Sequence, residues 1–311
     1  MNKTLLQPES GPSSSRPALF SVVINCFNGA EYLPKALESV FAQTFSDWEI
    51  IFWDNQSSDN SAAIFKSHCD KRLKYFLAPI HEKLGAARNS AVKNAQGDWV
   101  CFLDCDDVWL PQKLEWQATI IARENESLGL VYGQMLVLDS RSTQASRWSD
   151  RIGKYKTKTL LKRLPEGEVF DKLLLIDFIP LLTAAVRASL YREVGGVSGH
   201  FEMSEDYDLF LKVAYISRIA AVQDIVGLYR IHQTNTSIFK IDKGFQENLE
   251  IINRYLPLQS AKRALRFHYS CRALIRIKNG NILAGFYHFI SQGGIFDLPQ
   301  LIRLKLLKRL D

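Results

Sequence analysis

Asp104, Cys105, Asp106 and Asp107 follow directly on the apolar run Trp99-Val100-Cys101-Phe102-Leu103. Five hydrophobic residues in a row read as a buried strand, and three carboxylates cannot stay unpaired inside a core. They belong at the sheet's edge, where a hard divalent cation screens their repulsion and takes their oxygens as ligands. In an open α/β sheet the carboxyl ends of the strands are where ligands bind. Asp also caps helices, and Asp107 precedes a helix-like stretch near Pro111, but capping accounts for one Asp and not three. Asp54 ends another apolar run, where its carboxylate can accept a hydrogen bond from a base N–H or a ribose hydroxyl. Asp59 reads instead as shaping a turn and capping the helix near Ser61. Gly85-Ala86-Ala87-Arg88-Asn89 opens a helix. Its small residues permit close approach, and Arg88 can pair with a phosphate or with a carboxylate at the surface. Ser204-Glu205-Asp206-Tyr207-Asp208 puts three acids at a helix start, where the macrodipole favours them. The alternative is that one of them is a general base facing the cleft of Asp104 and Asp106.

The elements that must position these residues alternate from residue 19 onward. Leu19 to Ile24 is a short apolar run, and Leu33, Ala36, Leu37, Val40 and Phe41 then recur at helical spacing. Glu49 to Trp53 predicts a second strand, Ser61 to His68 a short helix, and Leu73 to Leu77 a third strand. Ala86 to Ala95 reads as a helix stopped by Gly97, and Trp99 to Leu103 as a fourth strand. Such a βαβ series predicts an α/β fold with a mostly parallel sheet and helices on both faces. Beyond Pro111, Gln112 to Glu124 reads as helix and Leu128 to Leu138 as a strand or hairpin arm. Residues 139–168 read as a polar, basic loop, Phe170 to Tyr191 as an apolar segment, and Val194 to Val197 as a turn. Tyr207 to Tyr215 reads as a helix, and the chain from residue 245 as mostly helical.

Of the 311 residues, 47% are hydrophobic and 23% charged, the makeup of an ordinary globular protein. Five Cys (26, 69, 101, 105 and 271) form no CxxC pair, so neither a zinc site nor a disulfide framework is expected. A reducing, cytoplasmic compartment is the simplest reading. Residues 1–17 are rich in Ser and Pro and read as a disordered leader, not a signal peptide. No stretch reaches the roughly 18 continuous apolar residues of a membrane span. The net charge of +6 is concentrated at one end: residues 262–311 carry ten Lys/Arg against two Asp, and the first 261 residues carry 29 Lys/Arg against 31 Asp/Glu. GxGxxG and GxxxxGK[ST] are both missing, which argues against a dinucleotide-binding turn and P-loop chemistry.

In order along the chain, Ser21-Val22-Val23-Ile24, Asn28-Gly29-Ala30-Glu31-Tyr32-Leu33, Ala36-Leu37-Glu38-Ser39-Val40, Trp48-Glu49-Ile50-Ile51 with Asp54, Gly85 with Ala87-Arg88-Asn89, Phe102-Leu103-Asp104, Asp106-Asp107 and Glu205-Asp206-Tyr207-Asp208-Leu209 form one pattern. It resembles the family 2 glycosyltransferases of the GT-A fold, of the bacterial surface polysaccharide and glycolipid type. The resemblance covers residues 19–125 and returns at 190–235. It implies a nucleotide-diphospho-sugar donor, a glycan or lipid-linked acceptor, and an inverting transfer. Asp104 and Asp106 would be the DxD motif, holding Mg²⁺ or Mn²⁺ on the diphosphate. Asp54 would sit against the nucleoside, and Phe27, Arg88, Asp104 and His232 complete the expected donor contacts. Asp206 would be the base, with Glu205 or Asp107 as runner-up. Asn25-Cys26 replaces the family's usual Pro-Thr, and Asn55-Gln56 its Asp-Gly, all in the expected base pocket.

The organisation expected is a leader over 1–17 and a GT-A domain over 18–240, with halves 18–125 for the nucleotide sugar and 126–240 for the acceptor. A helical basic region then spans 241–311. Leu298 to Leu310 alternates Leu and Ile with Arg303, Lys305, Lys308 and Arg309. Such a stretch suits an anionic membrane surface, gaining roughly 1 kcal/mol per basic residue, or packs as an ordinary helix; no nucleic-acid module supports a third reading. A cytoplasmic enzyme, peripheral on the inner face of the plasma membrane, is expected. The competing expectation is a catalytically inactive nucleotide-sugar-binding or membrane adaptor protein on the same fold.

Overall fold

A computed structural model of the chain describes residues 18–124, 126–139, 146–147, 163–232 and 241–278. The four apolar runs of the first hundred residues form strands β1 Phe20–Cys26, β2 Trp48–Asp54, β3 Leu73–Leu77 and β4 Trp99–Phe102. Helices α1 Leu33–Phe41, α2 Ser61–Lys66 and α3 Leu84–Val92 connect them. Next come β5 Val108–Trp109, α4 Lys113–Arg123, β6 Leu128–Asp139 and β7 Ser146–Arg147. The apolar stretch after Phe170 divides into α5 Phe170–Leu175, a 3-10 turn Leu181–Thr183, β8 Ala185–Arg187 and α6 Ala188–Glu193. Then follow α7 Glu205–Ile216, β9 Arg218–Ile231, α8 Ile241–Asn253 and α9 Gln259–Lys278.

One sheet runs in the order β3-β2-β1-β4-β8-β6-β9-β5, with β7 on the flank of β6. β3, β2, β1 and β4 are mutually parallel, as βαβ crossovers require. The second half is mixed: β8 runs antiparallel to β4 and β6, while β6 and β9 pair in parallel. The parallel character predicted from sequence therefore belongs to the first four strands. The 14-residue β9 escaped the pattern reading because Gln223 and Asp224 interrupt its apolar run.

Both faces of β1, β2 and β4 are buried, as a doubly covered sheet requires, while the edge strand β3 is half-buried. Val22, Ile24, Ile50 and Phe52 pack with Leu33, Leu37, Trp99 and Trp109 on one side. Val23, Ile51 and Trp53, the alternate residues of the same strands, pack with Ala87, Tyr207 and Phe210 on the other. Each such side chain taken fully from water contributes about 1.5–3 kcal/mol. The expected leader, most of the expected 139–168 loop and the basic stretch Leu298 to Leu310 lie outside the described residues. Among the described residues no helix is long and apolar enough to cross a membrane.

Lys113 is fully buried at the start of α4, its ammonium 3.9 Å from the Trp109 ring centroid and 2.9 Å from Gln117 Oε1. Burial lowers its pKa from 10.5 to about 8, with Cys101 pulling weakly the other way. The unfolded chain therefore binds more protons than the fold between pH 8 and 10.5, and stability rises with pH across that window. At about 1.4 kcal/mol per pH unit the lysine costs about 3 kcal/mol below pH 8, and its bond to Gln117 returns about 1. Lys113→Met is thus expected to stabilise the protein by about 2 kcal/mol at pH 7. Denaturant unfolding at a series of pH values should show that gain shrinking as pH approaches 10.5.

Candidate active site

The carboxyl ends of β1, β2 and β4 open on one edge of the parallel half, with Cys26 opposite Asp54 in register. Asp54 is 1% exposed; its Oδ1 accepts the Ser57 N–H at 2.8 Å and its Oδ2 accepts the Tyr75 hydroxyl at 2.7 Å. Burial, reinforced by that carboxylate, pushes the Tyr75 hydroxyl up to about 12, so it stays a donor. Asn55 pairs with the Glu82 backbone in both directions, at 2.8 and 2.9 Å. Asn28 and Gln56 take positive φ values of 54° and 69°, and the Asn28 amide oxygen accepts the Ser58 N–H at 2.8 Å. Two left-handed non-glycine residues in facing turns are held by those bonds, the kind of backbone strain found at ligand clamps. Phe27 projects beside them, 52% exposed, its ring 4.4 Å from that of His81. Asp59 behaves as expected of a turn residue, accepting the N–H groups of Ser61 and Ala30 at 3.0 and 2.9 Å.

The acidic run lies on the same edge. Asp104 keeps a side chain 40% exposed, and Arg88 Nη2 reaches both its oxygens at 2.9 and 3.1 Å. The other end of the guanidinium, Nη1, bonds Glu205 Oε1 at 2.5 Å. Arg88 itself is 2% exposed. Burial alone would lower its pKa, but Asp104 and Glu205 outweigh burial and raise it, so the guanidinium stays charged. Expected at the donor phosphates, Arg88 is thus seated beneath the cleft with both ends held by carboxylates. Gly85 serves a close approach, though to protein: a Cβ there would meet the Ser198 carbonyl at 2.4 Å. Asn89 fixes the following turn, donating to the Val197 carbonyl at 2.8 Å and accepting the Tyr191 hydroxyl at 2.7 Å. Gly196, at φ +69°, leaves room for that amide.

Asp106 meets His232 Nε2 through Oδ2 at 2.8 Å, and the His232 ring stacks on Tyr32 at 5.2 Å. Burial raises the Asp106 pKa and neighbouring Asp104 adds to the rise, against the pull of His232. Asp107 turns inward to accept the Arg230 N–H at 2.9 Å. Burial, and then its two acidic neighbours, push its pKa well up. It does not cap α4. Across the cleft, burial pushes Glu205 up to about 7, Arg88 opposing and Asp206 adding. Asp206 rises to about 7 through burial and then Asp177, with Arg88 opposing. Its Oδ1 accepts the Tyr207 N–H at 2.8 Å; among the described residues Oδ2 carries no hydrogen bond.

The loop ahead of this acid pair is anchored from α8. Glu247, 7% exposed, accepts the N–H groups of Glu202, Met203 and Ser204 at 3.0, 2.9 and 3.1 Å. Sequence reasoning gave no individual role to Glu247, Tyr75, Tyr32 or Arg230. Glu247 carries no local signal, being one acid of many on an amphipathic helix. The structure therefore brings Asp104, Arg88 and Glu205 into one bonded group, with Asp206 next to it, and Asp106 onto His232. Asp54 and Phe27 stand apart on the β1–β2 side, joined to that group by no hydrogen bond among the described residues.

Two carboxylates at a strand end, one of them accessible, form a hard-oxygen pair that suits Mg²⁺ or Mn²⁺. Among the described residues no group of three or more His, Cys, Asp or Glu stands ready to hold a metal. The remaining positions around a cation would fall to phosphate and water oxygens, the usual arrangement for Mg²⁺.

Residues 21–173 match the family model described as Glycosyl transferase family 2. The chain is 28% identical over 221 residues to the UDP-Glc:alpha-D-GlcNAc-diphosphoundecaprenol beta-1,3-glucosyltransferase WfgD of Escherichia coli, covering 70% of this chain and 79% of that protein. Among solved structures it is similar to S. aureus TarS 1-349 in complex with UDP-GlcNAc, with TM-score 0.60 and 16% identity over 94% of this chain and 81% of that one. It spans 43% of a longer TarS chain. It is also similar to the mannosyltransferase PcManGT from Pyrobaculum calidifontis in complex with GDP-Man and Mn2+, with TM-score 0.57 and 15% identity over 98% and 88% of the two chains. At such identities the solved structures speak for the fold.

Proposed function

We propose that this chain, a glycosyltransferase of family 2, moves a sugar from a nucleotide-diphospho-sugar to an acceptor hydroxyl with inversion, using Asp206 as base and a divalent cation held by Asp104 and Asp106. The observation that carries this reading is the Arg88 bridge, which ties the carboxylate beside the expected leaving group to Glu205, the neighbour of the proposed base. When bound, the cation would act as a Lewis acid on the departing nucleotide diphosphate.

The chain's own residues supply the rest. Asp54 and Phe27 receive the nucleoside, Asp54 kept in place by Ser57 and Tyr75. His232, braced by its stack on Tyr32, restrains Asp106. Asp206 takes the acceptor's proton at its unbonded Oδ2, and Arg88 keeps Glu205 oriented beside it. WfgD is named for a diphosphoundecaprenol-linked acceptor, which favours a lipid-linked acceptor here, met at a membrane surface in surface polysaccharide or glycolipid synthesis.

The test is a thermal-shift panel of nucleotide sugars with Mn²⁺ or with chelator, followed by assay of nucleotide diphosphate release onto a lipid-linked acceptor. A donor at a hundredfold excess over its Kd stabilises the fold by about 2.7 kcal/mol. Failure of every nucleotide sugar to stabilise the protein would overturn the donor assignment. A donor shift and transfer rate unchanged by chelator would remove the cation.

A further inference from the structure

We propose that Cys26 and Cys105 form a reversible disulfide that switches this centre off when a low-molecular-weight disulfide is in excess. Cys26 ends β1 and is buried, while Cys105 stands half-buried in the turn between Asp104 and Asp106. Both sulphurs converge on Gly29: a Cβ there would lie 2.6 Å from Cys105 Sγ and 2.9 Å from Cys26 Sγ. The two thiols also act on each other: Cys105 lowers the pKa of Cys26, and Cys26 raises that of Cys105. Gly29 holds its own position, donating its N–H to Ser61 Oγ at 3.0 Å while its carbonyl accepts from Leu33 at 3.0 Å. The absent side chain at residue 29 is thus what lets the sulphurs meet.

Closing a disulfide brings the sulphurs to about 2 Å. Cys26 is fixed in the sheet opposite Asp54, so the movement falls on Cys105 and on the two carboxylates beside it. The step balances as thiol–disulfide exchange. Cys105, the less buried of the two, attacks one sulphur of the small disulfide through its Sγ, forming a mixed disulfide and releasing one small thiol. Cys26 then attacks the Cys105 sulphur, closing the internal bond and releasing the second. Both protein thiol protons leave with the released thiols, and two electrons reduce the small disulfide. In a reducing compartment such bonds are transient and regulatory.

The consequence for the cation rests on the reading of Asp104 and Asp106 as its ligands; the bond itself does not. The experiment treats the full chain with glutathione disulfide, then with dithiothreitol. It maps disulfides in a non-reduced digest and measures Mn²⁺ affinity and the donor thermal shift. Expected are a Cys26–Cys105 linked peptide, Mn²⁺ affinity and transfer each reduced on the order of tenfold or more, and full recovery on reduction. Cys26→Ser should give no linked peptide and lose none of its own untreated activity to the oxidant; Cys105→Ser is the second variant should the first fold poorly. Absence of the linked peptide at an oxidant level that modifies exposed Cys69 overturns the proposal. So does a linked peptide with unchanged donor shift and transfer, or Ser variants that lose activity to the oxidant as the parent does. A reduced protein that binds no Mn²⁺ sinks the cation reading alone, since the linked peptide and the donor shift still decide the switch.

Discussion

Asp206→Asn is expected to slow transfer about 100- to 10,000-fold while leaving donor binding and the fold in place. The change is isosteric, and an amide oxygen can still accept the Tyr207 N–H that orients the group. What it removes is the proposed proton acceptor. Burial and Asp177 bring Asp206 to about 7, where a general base balances availability against strength. Transfer by the parent enzyme should therefore fall about tenfold per unit below pH 7 and level off above it. Stability should move the opposite way to activity. A raised pKa means that the charged form is disfavoured in the fold, so above pH 7 the Asn variant should melt no lower than the parent. Steady-state assays at several pH values, paired with thermal melts, check all of this. A variant within a few-fold of the parent would transfer the role to Glu205. Asp107 is a weaker candidate, being buried and already bonded to the Arg230 N–H.

Arg88→Met is expected to destabilise the protein by about 3–5 kcal/mol, because it strands a buried carboxylate at Glu205 and unties Asp104. At 2–4 °C per kcal/mol for a domain of this size, the melting point should drop by roughly 10 °C. The defect should carry a pH signature. Without the guanidinium Glu205 holds its proton to a pH above the parent's value of about 7, so the variant recovers stability relative to the parent as pH falls from alkaline values towards 7. Arg88→Lys separates charge from geometry: a lysine supplies one point charge and cannot span both carboxylates. It should recover part of the stability while transfer stays impaired. A melting point within 2 °C of the parent for Arg88→Met would show that the bridge is not structural.

How much of this was legible depends on the range of the interaction. The parallel half could be read because its strands are short, mostly apolar runs, three of them buried on both faces, set between helical segments. The acids at 54, 104 and 106 could be read because carboxylates directly after such runs have nowhere to go but the sheet edge. Pairings could not be read. Arg88 meets a carboxylate 16 residues away and another 117 away, and His232 meets Asp106 across 126. Only the fold brings those partners together, and no local pattern distinguishes an arginine bound for phosphate from one bound for Asp104. The strand β9 was hidden for a related reason. It lies in a mixed sheet, where Gln223 can turn outward to bond Leu164, so its residues need not form a continuous apolar run.

Glu247 bears on how this chain can be recombined. It sits on α8, beyond the residues matched by the family model, yet its carboxylate gathers three N–H groups of the loop that delivers Glu205 and Asp206. A chimaera that exchanges everything after residue 240 for a relative's sequence, to acquire another acceptor, also replaces the mount of its proposed base. Grafts that carry an acid at the matching helical position should inherit a working centre. Those without one would lose turnover with whatever acceptor they were built to receive.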